Sequence, residues 1–190
     1  MLRAGKKGRS LADAKKNPKN AKKPEDLLRR GVAEFRRGNY EHSQSLLEQA
    51  VAAAPDCAEA HAWHAAACGR LIEKAWSLPE KVEWLGKMEE AVSAAMALDP
   101  DLPLARRMRG AMLLYTPEML GGDPEAAAAD FRYCIEKGMR EADVWVSLAE
   151  CYIYMDDKPK ALQALREALS VDPGHSRAKE LTAKLQKDKG

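Results

Sequence analysis

The residues of this chain best suited to chemistry are Cys57, His61, His64 and Cys68. Their spacings of four, three and four residues line them along one helix face. His and Cys pairs at such spacing bind zinc or another soft metal. Eleven residues of helix rise about 16 Å, however, so one ion cannot reach all four. The same positions also fall where two helices would pack, so they read as a small, partly polar seam. No metal or cofactor is expected.

Gly121-Gly122-Asp123-Pro124 has the glycines of a phosphate loop but lacks the Lys-Ser/Thr that must follow them. It reads as a turn, with Asp123 as N-cap and Pro124 in the first helical place. Four histidines and scattered serines give no Ser-His-Asp motif. The acid pairs Glu89-Glu90 and Asp156-Asp157 read as solvated helix and turn residues. An enzyme is not expected.

The elements carrying these residues are helical. Ala, Leu, Glu, Lys and Arg dominate the 190 residues, aromatics make up only 6%, and strand-forming residues are scarce. No apolar run approaches the roughly 18 to 20 residues that span a bilayer. The first residues are basic without an apolar stretch behind them, unlike a secretory signal. Cys57, Cys68, Cys134 and Cys151 form no CxxC pair. Reduced thiols and a cytoplasmic setting are expected.

Charge is uneven. Residues 1–23 carry nine basic side chains against the single Asp13, which leaves the remainder acidic within a net charge of +2. This basic arm, lacking aromatic and apolar faces, is expected to be a disordered tail. The alternative is that it binds nucleic acid or an anionic surface through charge.

Prolines give the register of a repeat. Pro55, Pro100 and Pro173 close the patterns AVAAAP, AMALDP and ALSVDP. The cleanest unit, 142–175, has Trp145, Leu148, Ala149 and Tyr152 in its first half. Ala161, Leu165, Ala168 and Pro173 follow in its second. This 34-residue pattern resembles the tetratricopeptide repeat, W-x2-L-G-x2-Y followed by A-x3-F, A and P. Unit 24–57 fits nearly as well, with Leu27, Gly31, Ser43, Leu47, Ala50 and Pro55. Unit 58–102 is 45 long, eleven more than standard and about three helical turns, so both of its helices can lengthen. In it, His61, His64 and Cys68 hold packing places. Ser77 is its expected N-cap, with Pro79 in the first turn. Unit 103–141 is 39 long, with its extra residues in the loop TPEMLGGDPE. Residues 176–188 read as a capping helix with one polar face.

The stretched second unit before an interrupted third, with Ala58-Glu59-Ala60-His61 and Cys68-Gly69, resembles the regulator-of-microtubule-dynamics type of repeat protein. The Ala-rich composition suggests a bacterial relative, and no microtubule role is carried over.

The resemblance implies an all-α fold, a right-handed superhelical solenoid of antiparallel helix pairs, over residues 24–190. It implies a scaffold or adaptor that holds a peptide or helix of another protein in a concave groove. Carried over place by place, the groove comprises Leu28, Phe35, Arg36, Arg70, Arg107, Leu114, Tyr115, Val146, Glu150 and Tyr154. Ala62, Ala66, Ala111 and Ile153 lie between them. Apolar anchors with a few arginines suit such a segment. The carboxylate clamp of chaperone-binding repeats is not assembled. Self-association through an exposed end is a further possibility.

Overall fold

The computed structural model describes residues 23–187, and their regular structure is helical throughout. The helices are α1 (Pro24–Arg36), α2 (Tyr40–Ala53), α3 (Ala58–Lys74), α4 (Leu78–Leu98) and α5 (Pro103–Tyr115). A 3-10 turn (Glu118–Leu120) precedes α6 (Pro124–Glu136), α7 (Ala142–Tyr154), α8 (Lys158–Val171) and α9 (Ser176–Lys187). The basic arm lies outside the described residues, apart from Lys23. Among the described residues no helix is long and apolar enough to cross a membrane.

Local chemistry sets the helix starts. Proline stands in the first turn of α1, α4, α5, α6 and α8, where its missing N–H forfeits no helical bond. Ser77 Oγ accepts from Glu80 N at 3.3 Å. Asp123 Oδ1 accepts from both Glu125 N and Ala126 N at 3.0 Å. Asp157 Oδ1 accepts from Lys160 N at 3.1 Å. Each such cap contributes about 1 kcal/mol.

The second helix pair is the long one. α3 has 17 residues against 13 in α1, and α4 has 21 against 14 in α2. These lengthenings, four and seven residues, equal the eleven-residue excess read from the sequence. The tip of the α3–α4 hairpin consequently extends beyond the packing supplied by its neighbours. Trp76 there is 99% exposed.

Small residues let the helices of a pair approach closely. A Cβ on Gly31 would meet Leu47 Cγ at 2.6 Å, and one on Gly110 would meet Phe131 Cζ at 3.2 Å. Buried Ser43 donates to Gly31 O at 2.9 Å, closing the α1–α2 seam. Phe131, Val144 and Leu165 anchor the largest core cluster, which runs from α5 to α9. Cys68, Met88, Ala91 and Val92 fill the α3–α4 seam. Ala62, Ala95 and Ala105 join that pair to α5. Fully buried Asp130 on α6 is satisfied by α5: Arg109 Nε and Nη2 reach it at 2.7 and 2.6 Å.

The helices form two unequal layers. α1, α3, α5 and α7, the first helices of the pairs, also touch one another from pair to pair. α2, α4, α6 and α8 touch their own partners and the next first helix, with no comparable contact among themselves. Layers that differ in this way must curve toward the tighter one. The described residues therefore form a helical solenoid whose first helices lie on the inside of the curve.

Candidate partner-binding face

The inner layer is built around one stripe of α7. Asp143, Ser147, Glu150 and Tyr154 recur at spacings of four, three and four, so they share a face. Glu150, at the middle of the stripe, is buried. Its carboxylate accepts from Tyr115 Oη on α5 at 2.7 Å. From the other side it accepts from Arg177 Nε and Nη2 on α9, at 2.9 and 2.8 Å. Arg177 Nη1 also reaches Glu180 at 3.0 Å. Enclosure of the Tyr115 hydroxyl end, and the Glu150 carboxylate beside it, push that phenol above its ordinary range. The rest of the ring stays open, and the residue is 62% exposed.

Asp143 forms a second connection at the start of the same helix. His175 Nδ1 accepts from Ala178 N at 3.3 Å, capping α9, so its Nε2 carries the proton donated to Asp143 Oδ1 at 2.9 Å. Arg70 Nη2 on α3 stands 3.9 Å from Asp143 Oδ2. The His175 hydrogen bond, with Arg107 and Arg70 adding to it, holds the Asp143 carboxyl below the usual carboxylate range. Two polar links thus tie α3, α5 and α9 to one side of α7.

The residues carried over from the repeat pattern divide by exposure. Tyr115, Tyr154 and Arg36 are exposed. Leu28, Phe35, Arg70 and Arg107 are half-buried. Leu28 and Arg36 line a shallow cleft on α1 with Glu25, Val32 and Glu59. The Phe35 ring lies 5.3 Å from both Tyr40 and Trp63. Arg107 Nη1 approaches Met139 Sδ at 4.0 Å. Leu114 and Val146 need correction. They are only 3% and 5% exposed and belong to the core cluster, because the neighbouring first helix covers that side of α5 and α7. They shape the wall and offer little surface to a ligand. Glu150 is reached only past its two partners.

Arg177, His175 and Asp143 escaped the sequence reading. The cap sequence reads as a generic polar helix, and the repeat pattern assigns no partner to its charges. Two acids seven residues apart on one face of α7, Asp143 and Glu150, are the one signal the sequence offers.

The His/Cys group is dispersed by its partners. His61 Nε2 lies 2.9 Å from Pro55 O. His64 Nε2 lies 3.2 Å from Gln44 Nε2, which makes that histidine nitrogen the acceptor. Burial lowers the His64 pKa and pushes the Cys68 thiol up to about 12. Among the described residues, no three His, Cys, Asp or Glu side chains converge as a metal site. The glycine pair is a turn. Gly121 has φ 98°, and a Cβ on Gly122 would lie 1.8 Å from Thr116 O.

A sequence model of the tetratricopeptide repeat matches residues 119–185. No curated protein matches the chain. Among solved structures, the repeat protein TTC0263 of Thermus thermophilus is 19% identical, with a TM-score of 0.63 over 92% of this chain and 86% of that one. PilF of Pseudomonas aeruginosa is 17% identical, with a TM-score of 0.64 over 87% of this chain and 68% of that one. MamA of Desulfovibrio magneticus is 17% identical, with a TM-score of 0.60 over 88% of this chain and 85% of that one. The chain therefore carries tetratricopeptide-repeat sequence over residues 119–185 and has the helical solenoid fold of the tetratricopeptide-repeat proteins.

Proposed function

We propose that this chain is a scaffold that holds a segment of another protein, an extended peptide or a helix, against its inner face. Proteins of this fold generally act as interaction scaffolds rather than catalysts, although fold alone does not assign a function. The observation that carries the reading is a pair of exposed tyrosines, Tyr115 and Tyr154, on adjacent inner helices. Tyr115 is held at its hydroxyl by buried Glu150, so its ring is presented without having to be ordered on binding.

Tyrosine and arginine are the residue types that carry most binding energy at protein interfaces. Arg36, half-buried Arg70 and Arg107 add positive charge along the same layer. The segment suited to this face has apolar or aromatic anchors with acidic residues between them. The resemblance of the middle units to the regulator-of-microtubule-dynamics arrangement enters this reading as architecture alone.

The test is affinity capture with the full chain, followed by titration of each recovered protein. Tyr154→Ala and Arg107→Glu should each weaken binding at least tenfold, the loss of about 1.4 kcal/mol. Equal capture by wild type and both variants would exclude the inner face.

A further inference from the structure

A second surface lies away from the inner stripe, on the uncovered side of α4. Leu78, Val82 and Leu85 recur there at spacings of four and three, so they share one helix face. They are 75%, 60% and 44% exposed, a run of apolar side chains standing in solvent. α3 and α5 pack on another side of the helix, where Met88, Ala91, Val92 and Ala95 are buried.

Gly86 stands beside this stripe, one residue after Leu85. Glycine weakens a helix interior, so its presence there needs a reason. In the other helices the reason is packing: Gly31 and Gly110 admit Leu47 and Phe131, and Gly69 faces Met88 Sδ at 3.6 Å. A Cβ on Gly86 would meet nothing within 4 Å, so no contact inside the chain calls for glycine. A bare backbone beside an exposed apolar stripe lets a second helix approach closely.

The charges along the stripe select the occupant. Lys81 precedes Val82, and Glu89 continues the stripe one turn beyond Leu85. Both are exposed, and among the described residues neither has an ion-pair partner. Lys87, by contrast, is held by Glu83 at 2.9 Å and lies over the Trp84 ring. The stripe is thus positive toward its start and negative toward its end. That pattern complements itself when two α4 helices run antiparallel, as a two-fold axis makes them. With Val82 level with Leu85 of the second copy, Leu78 lies level with the stem of its Glu89. Lys81 then stands about 4.5 Å along the axis from that same glutamate, within reach of a lysine side chain.

We infer that α4 recognises a second copy of this chain: two α4 helices pair antiparallel through Leu78, Val82 and Leu85, with Lys81 of each copy meeting Glu89 of the other. The three apolar side chains and their polar neighbours supply on the order of 500 Å² per copy, near the lower end for a specific contact, so the pairing is weak and reversible. α4 belongs to the outer layer, so the inner face of each copy stays open and the pair carries two of them.

The experiment is sedimentation velocity on the full chain from about 1 to 500 μM, the range in which a contact of this size associates. Pairing predicts conversion of monomer to dimer across that range. Val82→Glu should weaken association about tenfold or more. Val171→Glu, the same change at a comparably exposed site at the end of α8, should leave it unaltered. Lys81→Glu and Glu89→Lys should each weaken association, and the two changes together should restore it. Circular dichroism checks that every variant keeps its helix content. A chain that stays monomeric at the highest concentration would overturn the inference. So would dimers that survive Val82→Glu, which would place the contact on another surface. A double charge reversal no better than either single change would contradict the antiparallel pairing and would equally overturn it.

Discussion

Arg177 Nη2 lies 2.8 Å from Glu150 Oε1, so the last described helix closes on the central acid of the inner face. Without that guanidinium, a nearly buried carboxylate would keep only the Tyr115 hydroxyl. Arg177→Ala should therefore destabilise the fold by about 1–3 kcal/mol, within the range for losing a partner of a buried charge. Arg29→Ala, which removes a much more exposed ion pair within α1, should change stability by less than about 0.5 kcal/mol. Urea unfolding of the two variants checks this, and equal midpoints would show that the closure contributes nothing.

The close approaches at glycine give graded expectations. At Gly31 the obstacle is the Leu47 side chain, which can shift partly, and Gly31→Ala should cost about 1–3 kcal/mol. At Gly122 the obstacle is the backbone oxygen of Thr116, which cannot yield without moving the turn into α6. Gly122→Ala should lower the Tm further than Gly31→Ala. Calorimetry of both variants measures the order, and the reverse order would mean that the loop adjusts more freely than the helix seam.

The cysteines should react in two classes. Burial pushes the thiols of Cys68, Cys134 and Cys151 up to about 12, 11 and 12, and all three are inaccessible. Cys57 is half-buried. A chromogenic disulfide reagent at pH 8 should label Cys57 in the native protein and the other three only after unfolding. Rapid labelling of Cys134 would place a local opening in the α5–α6 seam.

Acid should loosen the α7–α9 connection through Asp143. Its carboxyl is held below its ordinary value of 3.8 by the His175 hydrogen bond, with Arg107 and Arg70 adding to it. A depressed folded value means that the unfolded chain takes up the proton first. The contribution is therefore complete above the ordinary value and is lost as pH falls through the depressed one. Asp143→Asn should flatten the stability profile below about pH 4 relative to wild type. Parallel profiles from pH 2 to 6 would remove Asp143 from the acid response.

Most of the fold was legible because it rests on locally repeated signals. The Pro55, Pro100 and Pro173 stops and the small residues at Gly31 and Ala161 each encode a helix end or a close approach. The eleven-residue excess, a near-whole number of turns, led to the expectation that α3 and α4 would lengthen, and they do. The inner face was legible only in part. Places in a repeat fix which helix a residue belongs to, but not how far the next helix covers it, so Leu114 and Val146 fall into the core. The Asp143–His175 and Glu150–Arg177 pairs join residues 32 and 27 positions apart, and no repeat period encodes them. Exposure of Trp76 likewise arises from a mismatch between one hairpin and its neighbours, which no single unit contains.

The most direct measurement of partner holding is site-specific photocrosslinking in the full chain. A benzophenone amino acid is placed at Tyr154 on the inner layer or at exposed Arg132 on α6 of the outer layer. Inner-face binding predicts a discrete crosslinked partner from position 154, competed by excess unlabelled protein, and none from position 132. The same partner crosslinked from position 132, with none from 154, would contradict it.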